Sequence, residues 1–85
     1  MKRITTTIKR KWLDEILAGT KKVEYREIKP YWTKRLEGIE CPFELRLINC
    51  CKKDAVKVVV RIDKITTSAI NYELHIGEIV SPITD

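Results

Sequence analysis

The chain has 85 residues, of which 44% are hydrophobic and 34% charged, and its formal net charge is +5. This length suits one domain, residues 1–85, because shorter halves could not each bury a core, and the hydrophobic fraction argues against intrinsic disorder. No apolar run approaches the ~20 residues needed to cross a bilayer, so we expect a cytoplasmic protein that contacts no membrane.

Positive charge is concentrated in the first part of the chain. Residues 1–35 contain eleven of the seventeen Lys and Arg residues and four acids, whereas residues 36–85 contain six basic residues and eight acids. A surface that faces a polyanion would have this asymmetry, provided that the basic residues converge in space. A lysine-rich surface that only keeps the protein soluble would have it equally well.

A strand and a helix are the first elements that the sequence predicts. The segment from Ile4 to Ile8 is β-branched throughout, which is typical of a strand. A helix of about two turns is predicted from Trp12 to Ala18, with Trp12 in the core. Gly19 ends the helical pattern, where a left-handed residue belongs. Four apolar side chains should share the buried face of the helix: Trp12, Leu13, Ile16 and Leu17.

The segment from Lys21 to Ile28 changes to a period of two, which predicts a second strand. Val23 and Tyr25 are expected to face the core. Glu24 and Arg26 should then share the opposite face, because successive side chains of a strand alternate.

A second short helix is predicted from Tyr31 to Leu36. Pro30 suits its first turn, and Gly38 follows its end. Of the two neighbouring aromatic residues, we expect Tyr31 to be buried and Trp32 to be exposed and to line a cleft.

The remaining chain is predicted to form strands: Phe43 to Ile48, Ala55 to Ile65, Tyr72 to Ile76 and Glu78 to Ile83. Val59 interrupts the alternation of the second of these, so part of that strand should be covered on both faces. Short strands interleaved with one or two helices predict an α+β domain built on a small curled sheet.

The cysteines do not predict a metal site. Cys41, Cys50 and Cys51 are odd in number, and the adjacent pair has neither metal-ligand spacing nor easy disulfide geometry. We expect buried, reduced thiols near a strand end, and neither a metal nor a cofactor.

His75, the single histidine, is predicted to be a hydrogen-bonded structural residue in a strand. One histidine excludes a mechanism with separate acid and base imidazoles. Glu73 and Glu78 flank it, and either is a candidate for a distant carboxylate of a cleft.

The segment from Gly19 to Arg26 is the strongest candidate for a binding site. Glu24 and Arg26 share one face, so the carboxylate can orient the guanidinium, and Lys21 lies at the turn, free to reach the mouth of a cleft. Such a group could hold a phosphate or the polar edge of a base. The same residues could also form only an exposed ion pair, worth under about 1 kcal/mol.

These residues match a known pattern. Gly19-x-Lys21-x-x-Glu24-x-Arg26 resembles the G-x-K-x-x-E-x-R motif of ASCH domains, which are similar to PUA domains and are proposed to bind RNA. The preceding "ILAG" and the closing "YELHIGEIV" also resemble that family. The resemblance implies a PUA-like β-barrel of five to six strands, in which one or two short helices close a cleft.

The function that this resemblance implies is the binding of single-stranded or modified RNA. Lys21, Glu24 and Arg26 would contact the RNA within the cleft, and Trp32 would be available to stack on a base. Six further cations would guide the RNA backbone: Lys9, Arg10, Lys11, Lys22, Lys29 and Lys34.

Two other functions stay open. One branch of the family hydrolyses acylated cytidines with a lysine, a threonine and a distant glutamate. Lys21 matches the lysine, but Glu24 occupies the position of the threonine. The missing hydroxyl disfavours N4-acetylcytidine amidohydrolase activity. Another branch resembles a metal-independent ribonuclease that uses lysine, tyrosine and serine, for which Lys21, Tyr25, Tyr31 and Ser81 are available. The catalytic candidates are then Lys21, Glu24 and Tyr25. The third reading is a protein-binding domain that contacts no nucleic acid.

Overall fold

The computed structural model describes residues 2–49 and 56–84. The α+β class predicted from the sequence is confirmed, because two helices are interleaved with the strands of one sheet. The elements, in chain order, are β1 (Arg3–Thr7), α1 (Arg10–Leu17), β2 (Val23–Glu27), α2 (Pro30–Leu36), β3 (Phe43–Ile48), β4 (Val56–Thr67) and β5 (Asn71–Thr84). Neither helix of this described part has the length and apolar character needed to cross a membrane.

The five strands form one mixed sheet in the order β1-β3-β4-β5-β2. β1 runs parallel to β3, and the other neighbours are antiparallel. The sheet curls until its two edge strands approach each other: Arg26 Nη2 on β2 donates to the carbonyl of Thr7 on β1 at 3.0 Å. Arg35 Nη2 on α2 donates to the carbonyl of Thr5 on β1 at 2.7 Å. The result is a half-barrel whose open side is bridged by two arginine side chains.

The core lies between the helices and one face of the curled sheet. Each fully buried aliphatic or aromatic side chain stabilises the fold by about 1.5–3 kcal/mol. The buried residues of the core are Ile4, Ile8, Leu13, Ile16, Trp32, Leu36, Phe43, Leu45, Leu47, Val58, Val60, Ile62 and Leu74. Val59, on the opposite face of β4, is only 2% exposed, which confirms the prediction that part of this strand is covered on both faces.

The last strand differs from the prediction. The sequence predicts two strands separated at Gly77, but β5 is continuous from Asn71 to Thr84. A Cβ atom at position 77 would collide with the carboxylate of Asp63 on β4. Glycine therefore makes room for a neighbouring side chain here and does not end the strand. Three register shifts between β4 and β5 interrupt the ladder, and such irregularities increase the local twist.

The carboxylate beside Gly77 belongs to a surface ion cluster. Arg61 Nε donates to Asp63 Oδ1 at 2.6 Å, and Arg61 Nη1 donates to Glu78 Oε1 at 2.8 Å. The hydrogen bond from Arg61 lowers the pKa of the Asp63 carboxyl and raises the pKa of Arg61 itself. Glu78 thus pairs with a surface arginine.

His75 and Cys41 also have defined positions. His75 lies in β5 and its Nε2 is 2.7 Å from Thr66 Oγ1, so the predicted structural hydrogen bond is confirmed. Cys41 is exposed, contrary to the prediction, because it lies in the surface connection between α2 and β3, next to the cis peptide bond to Pro42. Cys50 and Cys51 lie outside the described residues.

Candidate functional site

The turn that positions the site is the end of α1. Gly19 adopts a left-handed conformation with φ of +81°, and its N–H donates to the carbonyl of Ile16 at 3.0 Å. The N–H of Thr20 donates to the carbonyl of Glu15 at 3.0 Å. This pair of hydrogen bonds is a Schellman motif, which ends the helix and reverses the chain. Lys21 follows directly, as the sequence predicts.

The two faces of β2 are the reverse of those predicted. Glu24 is only 5% exposed, whereas Tyr25 is 53% exposed. The register explains this: Glu24 lies opposite the fully buried Leu74, and Arg26 lies opposite Tyr72. Residues directly opposite each other in an antiparallel pair share a face, so pairing with β5 turns the charged residues of β2 inward.

Glu24 is held by one cation on each carboxylate oxygen. Arg26 Nη2 donates to Glu24 Oε2, and Lys21 Nζ lies 3.4 Å from Glu24 Oε1. All three side chains are largely buried. A carboxylate at this depth is tolerated only when it is paired, because removing a charge from water costs several kcal/mol.

Lys21 is less free than the sequence suggests. Its ammonium lies 5.0 Å from the centre of the Trp12 ring and 5.3 Å from that of Tyr25. Both distances fit cation–π contacts. The ion pair with Glu24 and the two rings together fix the position of this ammonium.

Arg26 connects the carboxylate with the aromatic residue of α2. Its guanidinium carbon lies 5.3 Å from the centre of the Trp32 ring, and its Nη2 also donates to the carbonyl of Thr7. Its Nε is buried and has no hydrogen-bond partner among the described residues. The face of the Trp32 ring is therefore part of the support for this cation.

The predicted roles of the two α2 aromatics are exchanged. Trp32 is 8% exposed and Tyr31 is 59% exposed. Trp32 and Leu36 lie four residues apart on the stripe that packs into the core, so Tyr31 is turned towards solvent. Its hydroxyl accepts a hydrogen bond from Arg35 Nη1 at 3.0 Å.

A cavity of about 840 Å³ opens between the end of β1 and β2. Trp12 lines it and is 39% exposed, so the prediction that Trp12 belongs to the core is wrong. Leu17 is equally exposed, because the short helix buries only the stripe of Leu13 and Ile16. The lining residues are Thr7, Ile8, Lys9, Arg10, Trp12, Glu24, Tyr25, Arg26, Glu27 and Asn49.

A smaller cavity of about 410 Å³ lies beside it. The two cavities share Tyr25, Arg26 and Glu27, and we call them together the β2 groove. The other residues that line the smaller cavity are Lys29, Tyr31, Trp32 and Asn71.

The predicted basic residues are only partly brought together. Lys9 and Arg10 line the larger cavity and Lys29 lines the smaller one. Lys22 and Lys34 are exposed and line neither. Lys11 covers the Trp12 ring at 4.8 Å.

The residues suggested for catalysis are also divided. Lys21 and Tyr25 are in contact, but Tyr31 lines only the smaller cavity, and the side chain of Ser81 lies outside what the structure describes. Glu73 accepts a hydrogen bond from Thr66 Oγ1 at 2.7 Å and lines neither cavity. Neither Glu73 nor Glu78 therefore supplies a carboxylate to the β2 groove.

Sequence reasoning did not single out Asn49, and it did not pair Tyr31 with Arg35. Asn49 lines the larger cavity, where its Nδ2 donates to the carbonyl of Ile8 at 3.1 Å. Tyr31 and Arg35 form an exposed pair on α2, and their spacing of four residues is the one signal that could have indicated it.

No protein-family model matches the chain, and no curated protein or solved structure matches it either. The function is therefore argued from the geometry and chemistry of the β2 groove.

Proposed function

We propose that the chain is an RNA-binding domain of the ASCH type, with a PUA-like fold, that binds single-stranded or modified RNA in the β2 groove. One observation carries the proposal: Glu24 and Arg26 line an open cavity edged by exposed aromatic rings, and Lys21, which lines neither cavity, pairs with Glu24. These three residues, together with Gly19 at the turn, are those of the G-x-K-x-x-E-x-R pattern.

The chemistry of the cavity suits the edge of a base. A carboxylate accepts hydrogen bonds from exocyclic amino groups, and a guanidinium donates to base carbonyls or phosphate oxygens. Because Glu24 and Arg26 are already fixed by each other and by Thr7, little conformational entropy is lost when a ligand binds. A site of this kind favours an unpaired base over a base inside a duplex.

The rim of the cavity supplies the other two contributions that single-stranded RNA needs. Tyr25 offers an exposed ring, on which stacking contributes about 1–3 kcal/mol per base. The Trp12 ring is partly exposed but is already contacted by Lys11 and Lys21, so a base that stacks on it must displace the exposed Lys11 side chain. Lys9 and Arg10 at the rim attract the phosphates, and this attraction weakens as salt rises.

RNA titrations at several salt concentrations test the proposal. If three phosphates are contacted, affinity should fall roughly 20-fold between about 50 and 200 mM salt. Arg26→Ala should weaken binding by roughly 10-fold or more, since it removes a charge-assisted contact. Lys21→Ala should weaken binding as well, since it takes away one of the two cations that hold Glu24 at the cavity.

The matched control is Lys64→Ala, which removes the same charge from an exposed residue that lines neither cavity. It should change affinity by less than about twofold. The absence of RNA binding, binding that is insensitive to salt, or equal affinity of all three variants and the wild type would refute an RNA-binding groove.

A metal-independent hydrolase is the second candidate. The observation that favours it is the position of Lys21 beside both Glu24 and the ring of Tyr25. Both oxygens of Glu24 are engaged by cations, which suits an anchoring role better than that of a general base. Incubation with RNA in EDTA, and separately with N4-acetylcytidine, tests it; turnover that disappears in Lys21→Ala would establish the enzyme.

A further inference from the structure

We infer that the smaller cavity is a second nucleotide subsite built around Tyr31, so that the β2 groove holds two successive nucleotides of one strand. The inference rests on the proposed RNA-binding function and specifies its ligand. It assigns to Tyr31 the role of stacking platform that the sequence suggested for Trp32.

The two cavities have similar sets of side chains. They lie side by side along β2 and share its residues Tyr25, Arg26 and Glu27. Both volumes fall in the range of roughly 300–1,000 Å³ that is usual for small-molecule sites. Each cavity has an aromatic ring, an amine and a carboxamide of its own: Trp12, Lys9 and Asn49 in the larger, and Tyr31, Lys29 and Asn71 in the smaller.

Tyr31 is exposed but held in place. Its hydroxyl accepts from Arg35 Nη1, and the guanidinium carbon of Arg35 lies 5.1 Å from the centre of its ring. Its ring also makes an edge contact with Trp32, with centroids 5.7 Å apart and an interplanar angle of 81°. A ring that is already ordered loses little freedom when a flat ligand stacks on it, so such a ring is suited to binding a base.

Arg35 ties this platform to the rest of the fold. Its Nη2 donates to the carbonyl of Thr5 at 2.7 Å, and its guanidinium carbon lies 5.6 Å from the centre of the Trp32 ring. Tyr31 is thereby fixed relative to β1 as well as to its own helix. The distance between the two subsites is consequently set by the sheet.

The shared residues define what connects the two bases. A link between the cavities passes Arg26, whose guanidinium would attract the phosphate that joins two nucleotides. Paired bases inside a duplex are stacked on each other and cannot enter separate cavities. The ligand class is therefore single-stranded RNA of at least two nucleotides.

Competition binding with mononucleotides and dinucleotides tests the inference. A labelled six-nucleotide RNA is bound to the wild type, to Tyr31→Ala and to Tyr31→Phe. Each nucleoside monophosphate and each homodinucleotide of the four bases is then titrated as a competitor. Tyr31→Ala should weaken the best dinucleotide by about 5- to 150-fold, as expected for the loss of one stacked base. It should leave the best mononucleotide, which occupies the larger cavity, within about twofold.

Tyr31→Phe keeps the ring and its contacts with Arg35 and Trp32 and loses only the hydrogen bond of the hydroxyl, so it should weaken the best dinucleotide far less than Tyr31→Ala does. Because Tyr31 is 59% exposed, both variants should fold, and thermal melting monitored by circular dichroism checks this. If Tyr31→Ala weakens both ligands equally, or neither, the second subsite is refuted.

Failure of the inference can be told apart from failure of the proposed function. If the six-nucleotide RNA binds and Arg26→Ala weakens it while Tyr31→Ala does not, only the second subsite is wrong. If the wild type binds none of these RNAs, the RNA-binding function is wrong and the subsite with it.

Discussion

Glu24 is the residue on which the arrangement of the site depends. It is the single charged residue among the buried residues of the described chain, and both of its oxygens face cations. The cluster carries one net positive charge, so the carboxylate neutralises part of the repulsion between Lys21 and Arg26. Its role in stability and its role at the cavity are therefore inseparable.

Glu24→Gln should be strongly destabilising. The amide keeps the shape of the side chain but leaves two largely buried cations without a counter-ion, which should lower the free energy of unfolding by about 2–4 kcal/mol. Urea denaturation measures this. Glu27→Gln on the same strand is the control, because Glu27 pairs with Lys29 on the surface, and it should cost under about 1 kcal/mol. Equal losses in the two variants would contradict a buried ion cluster.

At the scale of elements, the unit of α1, the turn at Gly19 and β2 brings the motif to the cavity. The Schellman motif pairs backbone groups at the end of α1 and sends the chain back along the sheet. An added Cβ at Gly19 would meet nothing within 4 Å, so the preference for glycine comes from φ alone and not from crowding.

Gly19→Ala should therefore cost about 1–2 kcal/mol, the penalty of a left-handed alanine. For a domain of this size, each 1 kcal/mol lowers the Tm by about 4–8 °C. Gly19→Asn should lose less, since asparagine tolerates this conformation. Gly38→Ala is a matched control after α2, with φ of +71° and the same open surroundings. It should lower the Tm similarly but leave RNA affinity unchanged, whereas Gly19→Ala should weaken RNA binding.

At the scale of the whole molecule, the half-barrel is held closed by side chains. β1 and β2 are the two edges of the sheet, and two arginines bond to the open edge of β1: Arg26 of β2 bonds to Thr7, and Arg35 of α2 bonds to Thr5. Lys2 and Ile8 direct their backbone groups to β3, so the odd-numbered residues of β1, including Thr5 and Thr7, direct theirs to the open edge. The arginines satisfy two of these edge carbonyls and also cover the edges.

Arg35→Ala should loosen this closure. It removes the bond to Thr5 and the contacts with Tyr31 and Trp32, and should lower the free energy of unfolding by about 1–3 kcal/mol. The substitution should increase the rate of amide hydrogen exchange more in β1 than in the central strands. Arg35→Lys should recover little of the loss, because an ammonium lacks the planar fork that reaches both partners. The control is Lys34→Ala, on the exposed side of the same helix, which should leave the free energy of unfolding nearly unchanged. If Arg35→Ala does not change the rate of amide exchange in β1, the bond from Arg35 to Thr5 is dispensable.

The sequence predicted local features well. Both helix ends at Gly19 and Gly38 were evident, and β3 spans the predicted residues from Phe43 to Ile48. Such features depend on backbone conformation and on the period of apolar residues over a few positions, and both are properties of a short segment. The sequence likewise indicated that Lys21, Glu24 and Arg26 lie together, because two of them share one face of a strand and the third precedes it at a turn.

The direction in which those side chains point was decided elsewhere in the chain. Leu74 on β5 turns Glu24 inward, the packing of Trp32 into the core exposes Tyr31, and Asp63 on β4 explains Gly77. A shift of one residue in strand register would exchange the two faces of β2, and that register is set by contacts between segments far apart in sequence. The chain's own local pattern thus determined where the helices end and where β3 lies. Long-range pairing determined that β5 continues through Gly77 and which side chains reach the groove, because only pairing between distant strands places one face of β2 against the core.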